Sequence, residues 1–391
     1  MALQEFRHFA APQRIYHGTD SLDSLRVELM SQGCRRPVVF SGRTLGSTKA
    51  IVELISCALG GGPVDWFNQV KAHSPINTVL QAAHFLRDAR ADAIIALGGG
   101  SSIVTARSAA IVLAEGEDLH SLCTQISPGQ RPISPKLLKP KLPLFVIPST
   151  ATTAMVKAGS AVLDVARGRR LTLYDPKTRA RALFIHPEVI CTAAPELALG
   201  AALNAFSMAI EGLESNMGNP LADASLLHAL RMLWSGIPCL LQTTDIAANR
   251  SRLILGAVLC GQGTDNSGAG LASVLSYCLG ARLSLNNGIS NAILLPHTMR
   301  FNAPATQKRL VAIARTLTIA HPGKDLAGAC SEAIAAQFRQ IGVPQRLRDV
   351  GVAQPLLATL AEDALSDWFL QQVPRPIKDA TDLMDILQAA W

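Results

Sequence analysis

The residues with the clearest chemical potential stand at 97–102, Leu97-Gly98-Gly99-Gly100-Ser101-Ser102. They follow a wholly apolar run, Ala-Ile-Ile-Ala-Leu at 93–97, and precede a helical pattern over 101–113. Glycine allows positive φ and lets the backbone approach a ligand with no Cβ in the way. The first turn of a following helix leaves amide N–H groups without intrahelical partners, and the helix dipole adds to them, so the chemistry on offer is phosphate binding. A tight turn can also need glycine for geometry alone, and the spacing is not that of the G-x-G-x-x-G dinucleotide fingerprint. Its place at the end of a buried strand favours the ligand-binding reading, because open α/β sheets hold ligands at strand carboxyl ends.

Such a turn needs a sheet to hold it. Residues 37–41, 64–70, 93–97, 144–147 and 182–185 read as short strands, and residues 45–59, 76–89 and 101–113 as helices. Strand and helix in alternation predict a parallel sheet covered on both faces. Residues 115–141 are polar and proline-bearing, a loop. Residues 161–164 and 171–174 flank Arg167-Gly168-Arg169 and read as a hairpin. From about residue 195 helical spacing dominates, over 201–217, 222–241, 250–261, 271–279, 307–320 and 326–341. The expected fold is an α/β nucleotide-binding domain over 1–194 and an all-helical domain over 195–391, with the ligand pocket between them.

Composition narrows the function classes. The chain has 391 residues, 49% hydrophobic and 17% charged, which argues against disorder. Its formal net charge is +7, yet Lys and Arg are scattered without interleaved aromatics; the densest cluster is Arg167, Arg169 and Arg170. That pattern argues against a nucleic-acid partner and suits an anionic small substrate or a cofactor phosphate. The eight cysteines form no C-x-x-C pair and sit mostly in apolar runs, so reduced thiols and a cytoplasmic location are expected. No membrane span is expected, and the first residues, with Glu5, Arg7 and His8, lack the apolar core of a signal peptide.

A series of ordered motifs resembles the iron-containing alcohol dehydrogenases, which include the maleylacetate reductases and share the dehydroquinate synthase-like fold. Gly98-Gly99-Gly100-Ser101 resembles that family's phosphate turn, Ile147-Pro148-Ser149-Thr150 its IPTT, and Ala209-Ile210-Glu211-Gly212 the end of its metal helix. Asn219-Pro220-Leu221-Ala222-Asp223, the segment 291–297 (NAILLPH) and Pro374-Arg375-Pro376 match further motifs. The resemblance implies an N-terminal Rossmann-like nicotinamide-nucleotide domain, a helical domain that normally holds a divalent metal, and a homodimer. It places the nucleotide at Gly42, Arg43, Gly98, Gly99, Gly100, Ser101, Ser149, Thr150 and Thr153. Gly42-Arg43 stands where an acidic residue often follows the second strand, which would tolerate or favour NADP over NAD. Arg43 as a plain solvated loop residue is an equal reading.

The resemblance also marks departures. At the positions of the family's metal ligands stand Asn204, Met208, Ser273 and Asn287, a poor donor set for Fe²⁺ or Zn²⁺, so no metal is expected. The family's GTGSE becomes Thr152-Thr153-Ala154-Met155-Val156. Tyr277 stands at a position where a family histidine works near the substrate, and a phenol can donate a proton to a substrate oxygen or carbon. Asn204, Ser273 and Asn287 could orient a carbonyl or carboxylate, with Arg282 and Arg300 nearby. The plain alternatives are an aromatic that fills the space of an imidazole, and polar side chains that satisfy one another. The expected activity is metal-independent, NAD(P)-dependent reduction of a carbonyl or conjugated alkene. A non-redox lyase or cyclase and a catalytically silent binding protein are the other readings.

Overall fold

The computed structural model describes residues 5–125, 132–242, 244–320 and 325–391. Part of the proline-bearing loop over 115–141 lies outside the described residues, as do the first four residues of the chain.

Six short strands form one parallel sheet: β1 (Arg14–His17), β2 (Pro37–Phe40), β3 (Asp65–Phe67), β4 (Ala93–Gly98), β5 (Leu144–Pro148) and β8 (Ala180–Ile185). Their order is β1-β8-β5-β4-β2-β3. β4 and β5 are buried at every residue, as expected of continuous apolar runs covered on both faces. One face packs Val39, Ile95, Leu97, Phe145 and Phe184 against the N-terminal helices; the other packs Val38, Phe40, Ile94 and Val146 into the main core. β6 (Gly159–Asp164) and β7 (Arg169–Tyr174) make the antiparallel hairpin, with Asp164 paired to Arg169 beside the turn.

Beyond residue 195 the described chain is helical, with no strand. The Pro195–Glu214 helix packs against the Asn287–Leu317 and Ile246–Ser267 helices, and the latter against Pro220–Gly236. Pro220–Leu241 meets the length and apolarity of a membrane span, yet Leu226, Ala229, Leu230 and Leu233 face the protein core.

Several elements depart from periodicity. β1 is mostly exposed along an edge and carries no apolar alternation, so backbone pairing with β8 alone reveals it. The helix expected over 45–59 breaks into Arg43–Gly46 and Lys49–Ala58. The helix expected over 307–320 begins at Asn287 and runs 31 residues through Pro296 and Pro304. Proline normally costs a helix interior about 3 kcal/mol, but burial of the face from Gly288 to Met299 outweighs it.

Glu214, at the end of the Pro195–Glu214 helix, is buried, with Asn302 Nδ2 donating to its Oε2 at 2.9 Å and Oε1 unpartnered. Burial pushes its pKa up to about 8. A carboxyl raised on folding stabilises the native state in acid and loses that contribution as pH climbs toward its folded pKa. Thermal denaturation should therefore show the wild type losing stability between pH 5 and about 8, and Glu214→Gln losing less. Parallel pH profiles for the two proteins would contradict this.

Candidate active site

The strand order reverses between β2 and β4: the chain leaves β2 outward to β3, then returns to β4 on the other side. Crevices for ligands open at such switch points, beyond the strand carboxyl ends. Three of the expected segments emerge there. Ser41-Gly42-Arg43 follows β2, the glycine turn ends β4, and Ser149-Thr150 follows β5. Gly98 has φ +132°, and its carbonyl accepts the Ser149 N–H at 3.0 Å. A Cβ on Gly99 would lie 3.1 Å from Thr150 Oγ1, and one on Gly100 3.0 Å from Thr152 Oγ1. The Gly100–Glu115 helix starts with no side-chain cap, which leaves its first amides free. This cradle fits a dinucleotide phosphate. Arg43 is exposed and opens the Arg43–Gly46 helix. Thr153 is buried, and its hydroxyl donates to Met208 Sδ at 3.7 Å, which places it at the junction with the helical layer.

Opposite lie two helices. Asn204, Met208 and Glu211 share one face of Pro195–Glu214, at spacings of four and three residues. Asn204 Nδ2 donates to Met208 Sδ at 3.5 Å, and its Oδ1 accepts from Asn291 at 2.9 Å. Ser273, Tyr277 and Gly280 share one face of Leu271–Leu283. Glu211 joins the two helices: it accepts the Ser273 N–H at 2.8 Å and the Ser273 hydroxyl at 2.5 Å. Burial lifts its pKa to about 7 despite these bonds and those from the Ala272 and Gly270 amides.

Arg170 enters from β7. Its guanidinium sits 5.3 Å from the centre of the Tyr277 ring, and Nη2 donates to Asn287 Oδ1 at 3.2 Å and to His73 Nδ1 at 3.0 Å. His73 therefore accepts through Nδ1; burial, then Arg170, lowers its pKa. Burial pushes the Tyr277 phenol up to about 12, with Arg170 acting the other way. Tyr277, Arg170 and Lys157 line a cleft of about 1400 Å³.

The expected catalytic residues thus fall into two linked groups, Asn204 with Met208 and Ser273–Tyr277–Asn287 with Glu211 and Arg170. Ser273 is fully buried and its hydroxyl hydrogen is engaged by Glu211, so it positions its helix rather than facing a substrate. Arg282 lines the cleft but is paired with Asp363, and Arg300 is exposed beside His297, away from the cleft lining. Arg170, His73, Lys157 and Glu211 escape sequence reasoning as site residues. The signals were slight: Lys157 is a lone charge within the apolar stretch 144–163, Arg170 lies in the densest basic cluster, and Glu211 lies in a family motif.

The side chains at the four positions the resemblance marks for metal do not fit a resident Fe²⁺ or Zn²⁺. Two are amides, one a thioether and one a hydroxyl already donating to Glu211, and a guanidinium stands 3.2 Å from Asn287 Oδ1. A fixed cation there opposes a second one.

Residues 12–187 match the model described as iron-containing alcohol dehydrogenase, and residues 199–391 that of the Fe-containing alcohol dehydrogenase family, C-terminal. The chain is 28% identical over 389 residues to a lactaldehyde reductase of Escherichia coli (strain K12), covering 96% of this chain and 97% of that protein. It is 26% identical over 369 residues to maleylacetate reductase 1 of Cupriavidus pinatubonensis, covering 93% and 91%. The alcohol dehydrogenase from Oenococcus oeni has the same fold, with a TM-score of 0.89 at 21% identity over 99% of this chain and 100% of that one. The chain belongs to the iron-containing alcohol dehydrogenase family, whose members are NAD(P)-dependent oxidoreductases.

The turn supports a stability contrast. Gly98→Ala places a Cβ at φ +132° and 2.7 Å from Ser102 Oγ, and should cost about 1–3 kcal/mol in urea unfolding. Gly99→Ala, at φ −85°, should cost less than about 1 kcal/mol. Equal costs would show that backbone conformation does not set the requirement at 98.

Proposed function

We propose that this protein is an NAD(P)-dependent reductase that works without a resident metal ion and acts on a carbonyl or a conjugated alkene. The observation that carries this reading is the cluster of Arg170, Asn287 and Tyr277, a fixed cation and a phenol on the wall of the cleft. A metal ion in such a site would polarise the substrate oxygen, a task worth several kcal/mol. Here that work falls to side chains.

A bound nicotinamide nucleotide would supply the hydride. Gly98, Gly99, Gly100 and Ser101 would hold its pyrophosphate, with Ser149, Thr150 and Thr153 beside it, and Gly42 and Arg43 would meet its adenosine ribose. Tyr277, held protonated by burial, donates its proton to the substrate oxygen or carbon as charge develops. The Nδ2 groups of Asn204 and Asn287 orient the substrate, while Ser273 acts through Glu211. The eight unpaired cysteines support a cytoplasmic setting, and the family resemblance supports a homodimer.

Turnover should survive exhaustive dialysis against chelator. Loss of turnover that returns with added Fe²⁺ or Zn²⁺ would sink the metal-free reading. Tyr277→Phe should lower kcat by about 10²–10⁴-fold and leave NADPH affinity within about twofold. A variant with wild-type kcat would remove Tyr277 from the chemistry.

Arg43→Ala should weaken NADPH binding and leave NADH binding unchanged, measured by fluorescence titration. An equal effect on both nucleotides would show that Arg43 does not read the 2′-phosphate.

A further inference from the structure

Three of the cations that line the cleft are matched by carboxylates. Arg179 pairs with Asp265 at 2.6 Å, Arg167 with Asp164 at 2.9 Å, and Arg282 with Asp363. Two are not. Among the described residues Arg170 and Lys157 have no carboxylate within ion-pair distance, and Lys157 has no hydrogen-bond partner. Burial lowers the pKa of both, the mark of positive charge removed from water. A partly buried charge left without a counter-ion is costly, so two of them lining one cleft point to an anionic ligand.

The geometry of Arg170 supports this. Both hydrogens of Nη2 are committed, to Asn287 and His73, which fixes the plane of the guanidinium over Tyr277. Nε is buried and unpartnered, and Nη1 has no partner among the described residues. Gly280 lets the group approach, because a Cβ there would stand 2.9 Å from Nη2.

We propose that this cleft binds a carboxylate-bearing substrate, with Arg170 gripping the carboxylate and Lys157 supplying a second positive charge. Arginine suits the task because its planar fork matches a carboxylate's two oxygens. The assignment rests on the reductase reading for its chemistry, a carbonyl or enone acid with Tyr277 beside its reacting end. The binding itself does not depend on that reading.

The test is calorimetric titration of the NADPH-loaded full chain with succinate and with its neutral isostere succinamide. Succinate should bind, and succinamide at least about tenfold more weakly. Arg170→Met should cost succinate at least about tenfold, as should Gly280→Val, which displaces the guanidinium and leaves its charge; Lys157→Met should cost less. NADPH titrations of each variant confirm that the nucleotide site is intact. Equal binding of the two probes to the wild type, or no binding of succinate, would overturn the proposal whether or not the variants fold. Unchanged affinity in both Arg170→Met and Gly280→Val would overturn the role of Arg170. Succinate binding without nicotinamide turnover on any carbonyl or enone acid would keep the anion site and sink the reductase reading instead.

Discussion

The site hangs on one carboxylate, Glu211, at the N-terminus of the Leu271–Leu283 helix. Its two oxygens take the amide and hydroxyl of Ser273, and Gly270 leaves room for its side chain, because a Cβ there would lie 2.9 Å from Glu211 Cβ. Hydrogen bonds to a charged group contribute about 1.5–3 kcal/mol each, and the helix dipole adds to them. Burial works against them and wins in part, which is why the pKa rises to about 7 instead of falling. The carboxylate fixes the rotation of the helix about its axis. Tyr277 and Gly280, one and two turns on, are then aimed where Arg170 can reach them.

A second constraint follows from charge. A guanidinium at Asn287 and a divalent cation held by the same side chain would repel at short range in a medium of low dielectric. An Asn accepts from an arginine without cost, whereas an imidazole ligating a metal has no lone pair to spare for one. The neutral Asn287 and the guanidinium of Arg170 are compatible partners, Nη2 donating to Oδ1 at 3.2 Å.

The sheet and its glycine turn were legible because their signals are local. A buried apolar run, three glycines and a helical period lie within about twenty consecutive residues, and β4 with its helix stands where that pattern puts it. β1 was not legible, since an exposed edge strand of four residues carries no period. The helix through Pro296 and Pro304 was not, since local propensity argues against it and only tertiary burial decides. At the site, Tyr277 and Asn287 stood out through family motifs. Arg170 read only as part of a basic cluster, because the contacts that define its place join residues 97 and 117 positions apart. No spacing rule reaches that far.

The segment that links the two recognition elements is itself strained. His73 and Ser74 both lie in the left-handed region, at φ 59° and 49°, although neither is glycine. Such conformations cost about 1–2 kcal/mol each and persist only where the surroundings impose them. Here Ser74 Oγ donates to the Ser101 carbonyl at 3.1 Å and receives the Thr105 hydroxyl at 3.0 Å, while the adjacent His73 accepts from Arg170. A relaxed backbone at 73–74 would turn one of these two side chains away. The strain thus holds the cation over Tyr277 at a set distance from the glycine turn. In the proposed reduction, a hydride donor held at one end and an anionic acceptor held at the other would need that fixed spacing, since reaction requires the two to meet within about 3–3.5 Å.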